Sequence, residues 1–282
     1  VSSLSLSPSS SSNWCGHLHL EFLHRSSKTI LSHSHAQAPL KIQRPFYPEG
    51  DAVCHSVMLH TAGGIAGSDR LSNQIILHPH AQALVTTAAA AKVYGRSGKD
   101  AQQITQISIA EGACLEWFPQ ETIVFDGAIY QQEMRVELAA NAMWFGWEVT
   151  RLGRSARGER FASGIWRSKV EVWQGDQLLW VDPQGIQGGS EMLDSLHGLA
   201  GCPVVASFVM LGRSVVPEDV EKARSVWQGS GEVGVTRLME GMLCRYRGHS
   251  TTEARHWFIQ VWQILRSAYL NRAACPPRVW QL

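Results

Sequence analysis

The chain has 282 residues, 44% of them hydrophobic, enough apolar content for one large core. A net charge of +1 with 17% charged residues gives no global field that would favour nucleic acid, an anionic membrane or an acidic partner. The six cysteines, Cys15, Cys54, Cys114, Cys202, Cys244 and Cys275, are scattered without a C-x-x-C pair. That argues against a zinc ribbon and a disulfide scaffold, and fits reduced, intracellular thiols.

The opening VSSLSLSPSSSSN, residues 1–13, has neither a basic start nor an apolar h-region and reads as a disordered serine-rich tail. Residues 14–282 are expected to form one β-rich domain. No stretch approaches the roughly 20 apolar residues of a membrane span, so a soluble, cytoplasmic protein is expected. Short strands punctuated by Gly, Pro and Asn are predicted at residues 53–59, 71–77, 83–87 and 104–109. Between the first two lies HTAGGIAGSDR, residues 60–70, whose Gly63, Gly64 and Gly67 permit close backbone approach or φ > 0. The pattern is neither G-x-G-x-x-G nor a P-loop, and a strand follows it instead of a helix, so nucleotide binding is not expected.

Further along, WRSKVEVW places Trp166, Val170 and Val172 on one face and Arg167, Lys169 and Glu171 on the other. Gly175-Asp176 then turns the chain into LLWVD, giving a hairpin. PEDVEKARSVWQ, residues 217–228, opens with Pro and two acids, aligns Val220, Ala223 and Trp227, and stops at Gly229, the pattern of a short amphipathic helix. A second helix is predicted over residues 250–269, with Ser250 and Glu253 as a capping box and Pro276-Pro277 beyond its end. Its stripe includes Ala254, Trp257, Phe258, Val261, Ile264, Leu265, Ala268 and Tyr269. Two readings stay open for the stripe: packing on the protein's own sheet, or donation to a partner. No internal repeat is legible.

Several clusters carry chemistry. His17 and His19, His33 and His35, and His78 and His80 form His-x-His pairs, each able to present two imidazoles on one face of a strand to a borderline metal ion. Two ligands make a weak site, and solvated surface histidines are the alternative. Glu116, Glu121 and Asp126 sit among Trp117, Phe118, Ile123, Val124 and Phe125, where a lone carboxylate would be costly. They form either an internal ion-pair network, with Lys92, Arg151, Arg154 or Arg157 as partners, or a polar passage that escorts a divalent cation. The close-set Arg151, Arg154 and Arg157 could clamp a carboxylate or phosphate, or face solvent. No catalytic nucleophile emerges, since Ser155 and Ser163 lack a G-x-S-x-G elbow. A glycosidase-like pair, Glu116 with Glu121, is the enzymatic alternative: a β-rich hydrolase.

Four ordered blocks, HTAGGIAGSDR, TTAAAAKVYGRSG (residues 86–98), LEWFPQETIVFDGA (115–128) and EVTRLGRSARGERFASG (148–164), together resemble the urease accessory protein UreD family, called UreH in some lineages. Ser68 departs from the family loop, which usually has another glycine there, and Gly95 interrupts a usual Tyr-Arg-Ser run. The resemblance implies an elongated β-helix-like body with a few helices and no catalysis of its own. It further implies binding to apo-urease and to the accessory protein UreF, which recruits the GTPase UreG, and an internal route for transient Ni²⁺ with no tightly bound cofactor. By the same resemblance Asp69, Glu116, Glu121, Asp126, Glu148 and Glu159 are passage-lining candidates. Gly63, Gly64, Gly67, Lys92, Arg154, Arg157, Trp257 and Phe258 are structural or partner positions.

Overall fold

The computed structural model describes residues 15–95 and 98–281, so the serine-rich tail predicted over residues 1–13 lies outside the described residues. An antiparallel hairpin of β1 (Cys15–Arg25) and β2 (Lys28–Gln37) comes first, and β3 (Leu40–Ile42) then pairs antiparallel with β4 (Cys54–His60). From β4 the chain winds. It passes to β5 (Arg70–Leu77), through β6 (Gln82–Thr87) and the short β7 (Ala91–Val93) to β8 (Asp100–Ile109), and through β9 (Cys114–Phe118) and the short β10 (Thr122–Val124) to β11 (Ile129–Leu138). The last coil runs from β12 (Met143–Leu152) to β13 (Ile165–Gln174). Within each sheet these strands pair in parallel, β4-β6-β9-β12 in one and β5-β8-β11-β13 in the other. The result is a mainly β fold, a β-solenoid of about 4 turns with two helices.

The coil repeat that the sequence conceals is visible at one corner. Ile65 bridges Val93, Val93 pairs with Val124, and Val124 pairs with Leu152. All four are buried, stacked one per coil at a spacing of roughly thirty residues, within the range of solenoid periods. The sequence offers no matching motif around these positions, because an apolar residue of almost any shape continues the ladder.

Antiparallel strands close both ends. β14 (Gln177–Gln187) folds back on β13 through the predicted hairpin, with Gly175 at φ 55° and a bulge between Val172 and Trp173. In the other sheet β15 (Val204–Leu211) lies against β12, followed by α1 (Pro217–Ser225), β16 (Glu232–Leu238), β17 (Gly241–Gly248) and α2 (Thr251–Leu270). α1 and α2 begin as the sequence predicts. Pro217 opens the first, and Ser250 caps the second by accepting from Glu253 N–H. The Glu253 carboxylate accepts from Ser230 and Tyr246 instead of completing the box.

The two sheets differ in what covers them. β1 and β5 alternate buried and half-exposed residues, because only one face of the seven-stranded sheet packs inward. All five residues of β9 are buried, because its sheet is covered on both faces. One face meets the opposite sheet and the other meets the helices, where Phe118, Phe145, Trp147, Phe208, Trp257, Phe258 and Trp262 form an aromatic layer.

Candidate functional site: a polar space between the sheets

Solenoid interiors are usually apolar, yet here polar residues line a cavity of about 380 Å³ between the sheets. Asn73 of β5, Gln103 and Thr105 of β8, Gln132 of β11, and Glu148 and Thr150 of β12 all contribute. The pleat explains the choice: Phe145, Trp147 and Val149 lie in the aromatic layer, so Glu148 and Thr150, one residue out of phase, point the other way. At one end the cavity is lined by the Gly63-Gly64 loop and residues 88–92, which include the exposed Lys92.

Hydrogen bonds link these groups across strands. Asn73 Nδ2 donates to Thr105 Oγ1 at 3.1 Å. Gln132 Nε2 donates to Glu148 Oε1 at 2.8 Å and to Ser168 Oγ at 3.1 Å, while Ser168 Oγ donates to Glu148 Oε2 at 2.9 Å. Burial pushes the Glu148 carboxyl up to about 7, with Asp182 adding repulsion. Glu148 keeps accessible surface because it lines the cavity, although protein surrounds it. Asn73 Oδ1 and the indole nitrogens of Trp117, Trp144 and Trp166 are buried without a protein partner.

A second, small cavity of about 10 Å³, room for one water, shares Trp117, Met134 and Glu148 with the first and is lined by Asp182 and Ser207 among others. There Arg245 donates to Asp182 Oδ1 at 2.6 Å and to Ser207 Oγ at 2.9 Å, and Gln184 Nε2 donates to Asp182 Oδ2 at 2.8 Å. Asp182 and Arg245 escaped sequence reasoning. The inward register of β14 and β17 was the only signal, and it needs the fold.

The other predicted carboxylates do not reach this space. Glu116 points to the opposite face of its sheet, under α2, where Trp262 Nε1 donates to it at 2.6 Å and Arg266 Nε at 2.9 Å. Fully buried Arg266 also grips Glu49 through two bonds of 2.7 and 2.8 Å, and Glu49 meets His55 at 2.7 Å. Burial raises both carboxyls. For Glu49 the bonds from His55 and Arg266 overcome it and hold the group at about 2. For Glu116 the net direction stays upward despite Arg266. Glu121 lies 3.4 Å from Arg255 of α2. Glu116 and Glu121 are therefore held by helix arginines, away from the cavity, an arrangement that leaves a sugar no access to a Glu116–Glu121 pair. The network partner expected from Lys92, Arg151, Arg154 or Arg157 is instead Arg266, distant in sequence.

Asp69, Asp126 and Glu159 brace turns. Asp69 Oδ2 accepts from Ala66 N–H at 2.8 Å, and Asp126 Oδ1 accepts from Ser163 N–H at 2.7 Å. Glu159 accepts from Arg154 Nε at 2.7 Å and from Asp126 N–H at 3.1 Å. Arg154 lies over the Phe125 ring, and Arg157 is exposed at the end of a 3₁₀ turn. Of the six predicted carboxylates, only Glu148 lines the cavity. Among the described residues no group of three His, Cys, Asp or Glu side chains is arranged to hold a metal ion.

The two departures in the loop blocks have physical reasons. Ser68 sits at φ 79°, a conformation that glycine adopts without strain. A Cβ on Gly95 would lie 2.1 Å from Asp126 O, so the glycine lets neighbouring turns touch. Gly64 is equally constrained: at φ 153°, its Cβ would meet the Tyr94 ring at 2.5 Å and Lys92 O at 2.6 Å. Gly63 is unobstructed, and Gly67 lies in the turn that Asp69 braces.

Trp257 and Phe258, read from the sequence as structural or partner positions, take the structural role. Phe258 is wholly buried, 5.7 Å from the Phe208 ring and 6.2 Å from Trp147, and Trp257 Nε1 donates to Ala223 O at 3.0 Å. The stripe of α2 packs on the protein's own sheet, so these side chains are not a partner surface. Among the described residues, no helix is long and apolar enough to cross a membrane.

Residues 15–281 match the UreD urease accessory protein family. A relative from Nostoc punctiforme, named urease accessory protein UreD, is 58% identical over 269 residues, covering 95% of this chain and 96% of its own. Relatives of the same name from Acaryochloris marina and Synechocystis are 52% and 38% identical, covering 96% and 90% of this chain and 96% of each relative. With its solenoid, its polar interior and this similarity along nearly its whole length, the chain belongs to the UreD family of urease accessory proteins.

Proposed function

We propose that the protein is a non-catalytic scaffold for urease maturation, which binds apo-urease and UreF, and UreG through UreF, while its interior gives Ni²⁺ a route toward the urease active site. The observation that carries this reading is the carboxyl of Glu148, held between Gln132 and Ser168 where it lines both the large cavity and the small one beside Asp182. Buried polar groups usually destabilise a core, so a hydrated seam through a solenoid suggests use in transit. Oxygen ligands in an incomplete sphere bind a divalent ion weakly and release it readily. A carboxyl near neutrality can exchange a proton for a cation as the ion passes. The surrounding amides and hydroxyls would solvate the ion without trapping it.

The test is reconstituted activation of apo-urease with UreF, UreG and Ni²⁺, comparing wild type with Glu148→Gln. The amide keeps shape and hydrogen bonding but loses the charge. Partner pull-down should be retained while activation falls. Wild-type activation by this variant would remove Glu148 from the route.

A further inference from the structure

The His-x-His pairs find partners that the sequence could not reveal. In the β1–β2 hairpin His19 stands opposite His35 and Glu21 opposite His33, so both pairs share one face with Glu21. That face is the outer one, since Leu18, Leu20 and Phe22 fill the core on the other side. The parallel pairing of β1 with β5 brings Leu77 beside Phe22, so His78, the next residue, reaches the same patch. Strand twist closes the diagonal: the His19 and His33 rings approach to 5.2 Å between centroids, at an interplanar angle of 75°. Glu21 lies between two imidazoles, with Oε1 3.1 Å from His19 Nε2 and Oε2 3.0 Å from His78 Nε2.

We propose that this outer patch is a surface site for one borderline divalent metal ion, Ni²⁺ or Zn²⁺, with His19, His33 and Glu21 as ligands and His78 at a fourth position. Imidazole is the side-chain donor that suits such ions, and one carboxylate offsets part of their charge. Two imidazoles on a single ion, with metal–nitrogen bonds of about 2.1 Å and a tetrahedral angle, bring their ring centroids to about 5 Å, close to the His19–His33 separation. In the resting rotamers no three donors among the described residues converge on one point. Binding therefore turns the rings about their side-chain bonds, which exposed His33 and half-exposed His19 and His78 are placed to do. The site lies on the opposite face of its sheet from the cavity and does not depend on the interior route.

Ni²⁺ titrated into the full chain at pH 7.5, followed by calorimetry and by paramagnetic broadening of the histidine ring signals, tests this. Broadening should appear first at His19 and His33, and the His19→Ala/His33→Ala variant should bind at least tenfold more weakly with an unchanged thermal midpoint. His33→Ala alone, at an exposed position, should weaken binding in the same direction. His256→Ala, which removes an exposed histidine of α2, should bind as wild type does. Wild-type affinity in the double variant, loss of binding in His256→Ala, or broadening that spares His19 and His33 would each overturn the site.

Discussion

The two sides of the β4-β6-β9-β12 sheet are built from the same strands and have opposite chemistry. Toward the helices stand Phe145, Trp147 and Phe208, with the Glu116–Arg266–Glu49 cluster and the Glu121–Arg255 pair. Toward the other sheet stand Glu148, Thr150 and Ser207, with water-seeking groups left over. On the helix side the carboxyls of Glu49, Glu116 and Glu121 each face an arginine of α2. The other side keeps a carboxyl, that of Glu148, held by an amide and a hydroxyl and, among the described residues, by no ion pair.

The contrast is sharpest at Phe258. Truncation to Ala should cost about 3–5 kcal/mol, because it opens a cavity in the aromatic layer. Denaturant unfolding of the isolated protein measures this. Unchanged stability with weakened UreF binding would break the comparison and return α2 to the partner surface.

Glu148→Gln probes the other side through pH. The folded carboxyl titrates near 7 against 4.5 unfolded, so the folded state binds the proton more tightly. Wild type should therefore lose up to about 3 kcal/mol of stability as pH rises from roughly 5 to 8 relative to the glutamine variant, which lacks this slope. Parallel stability curves for the two proteins across that range would contradict the assignment.

Gly64→Val should cost about 1–3 kcal/mol through backbone strain and contact with Tyr94 and Lys92, read as a lower thermal midpoint. A variant of unchanged midpoint would show that the cavity-side loop yields where the aromatic layer does not. Ser250→Ala removes the cap of α2 and should cost about 1 kcal/mol, measurable by the same method. A loss several times larger would mean that the cap also anchors the aromatic layer.

Legibility in the sequence followed this division. Strands such as β5 and β13 announce themselves by alternation because water covers one face. β9 and β12 show no alternation because both faces are buried, so nothing local indicated that Glu116 and Glu148 point in opposite directions. The ends of α2 were readable from Ser250 and the residues that follow the helix, while its docking face was not. The Glu116–Arg266 pair spans 150 positions and is invisible without the fold. Resemblance reached Glu148 as one of six carboxylates, and only geometry singled it out.

The antiparallel strands at the two ends of the solenoid carry a consequence for assembly. Parallel coils are self-templating, since each exposed edge could accept another copy and extend into a fibre. Here β2 and β14 terminate one sheet, and β3 and the β15-β17-β16 run terminate the other, each reversing strand direction. A second molecule meeting either end finds a polarity opposed to its own winding. Continuing the parallel ladder past either end would require pairing with a strand of reversed direction, so the run of parallel coils stops where the chain reverses.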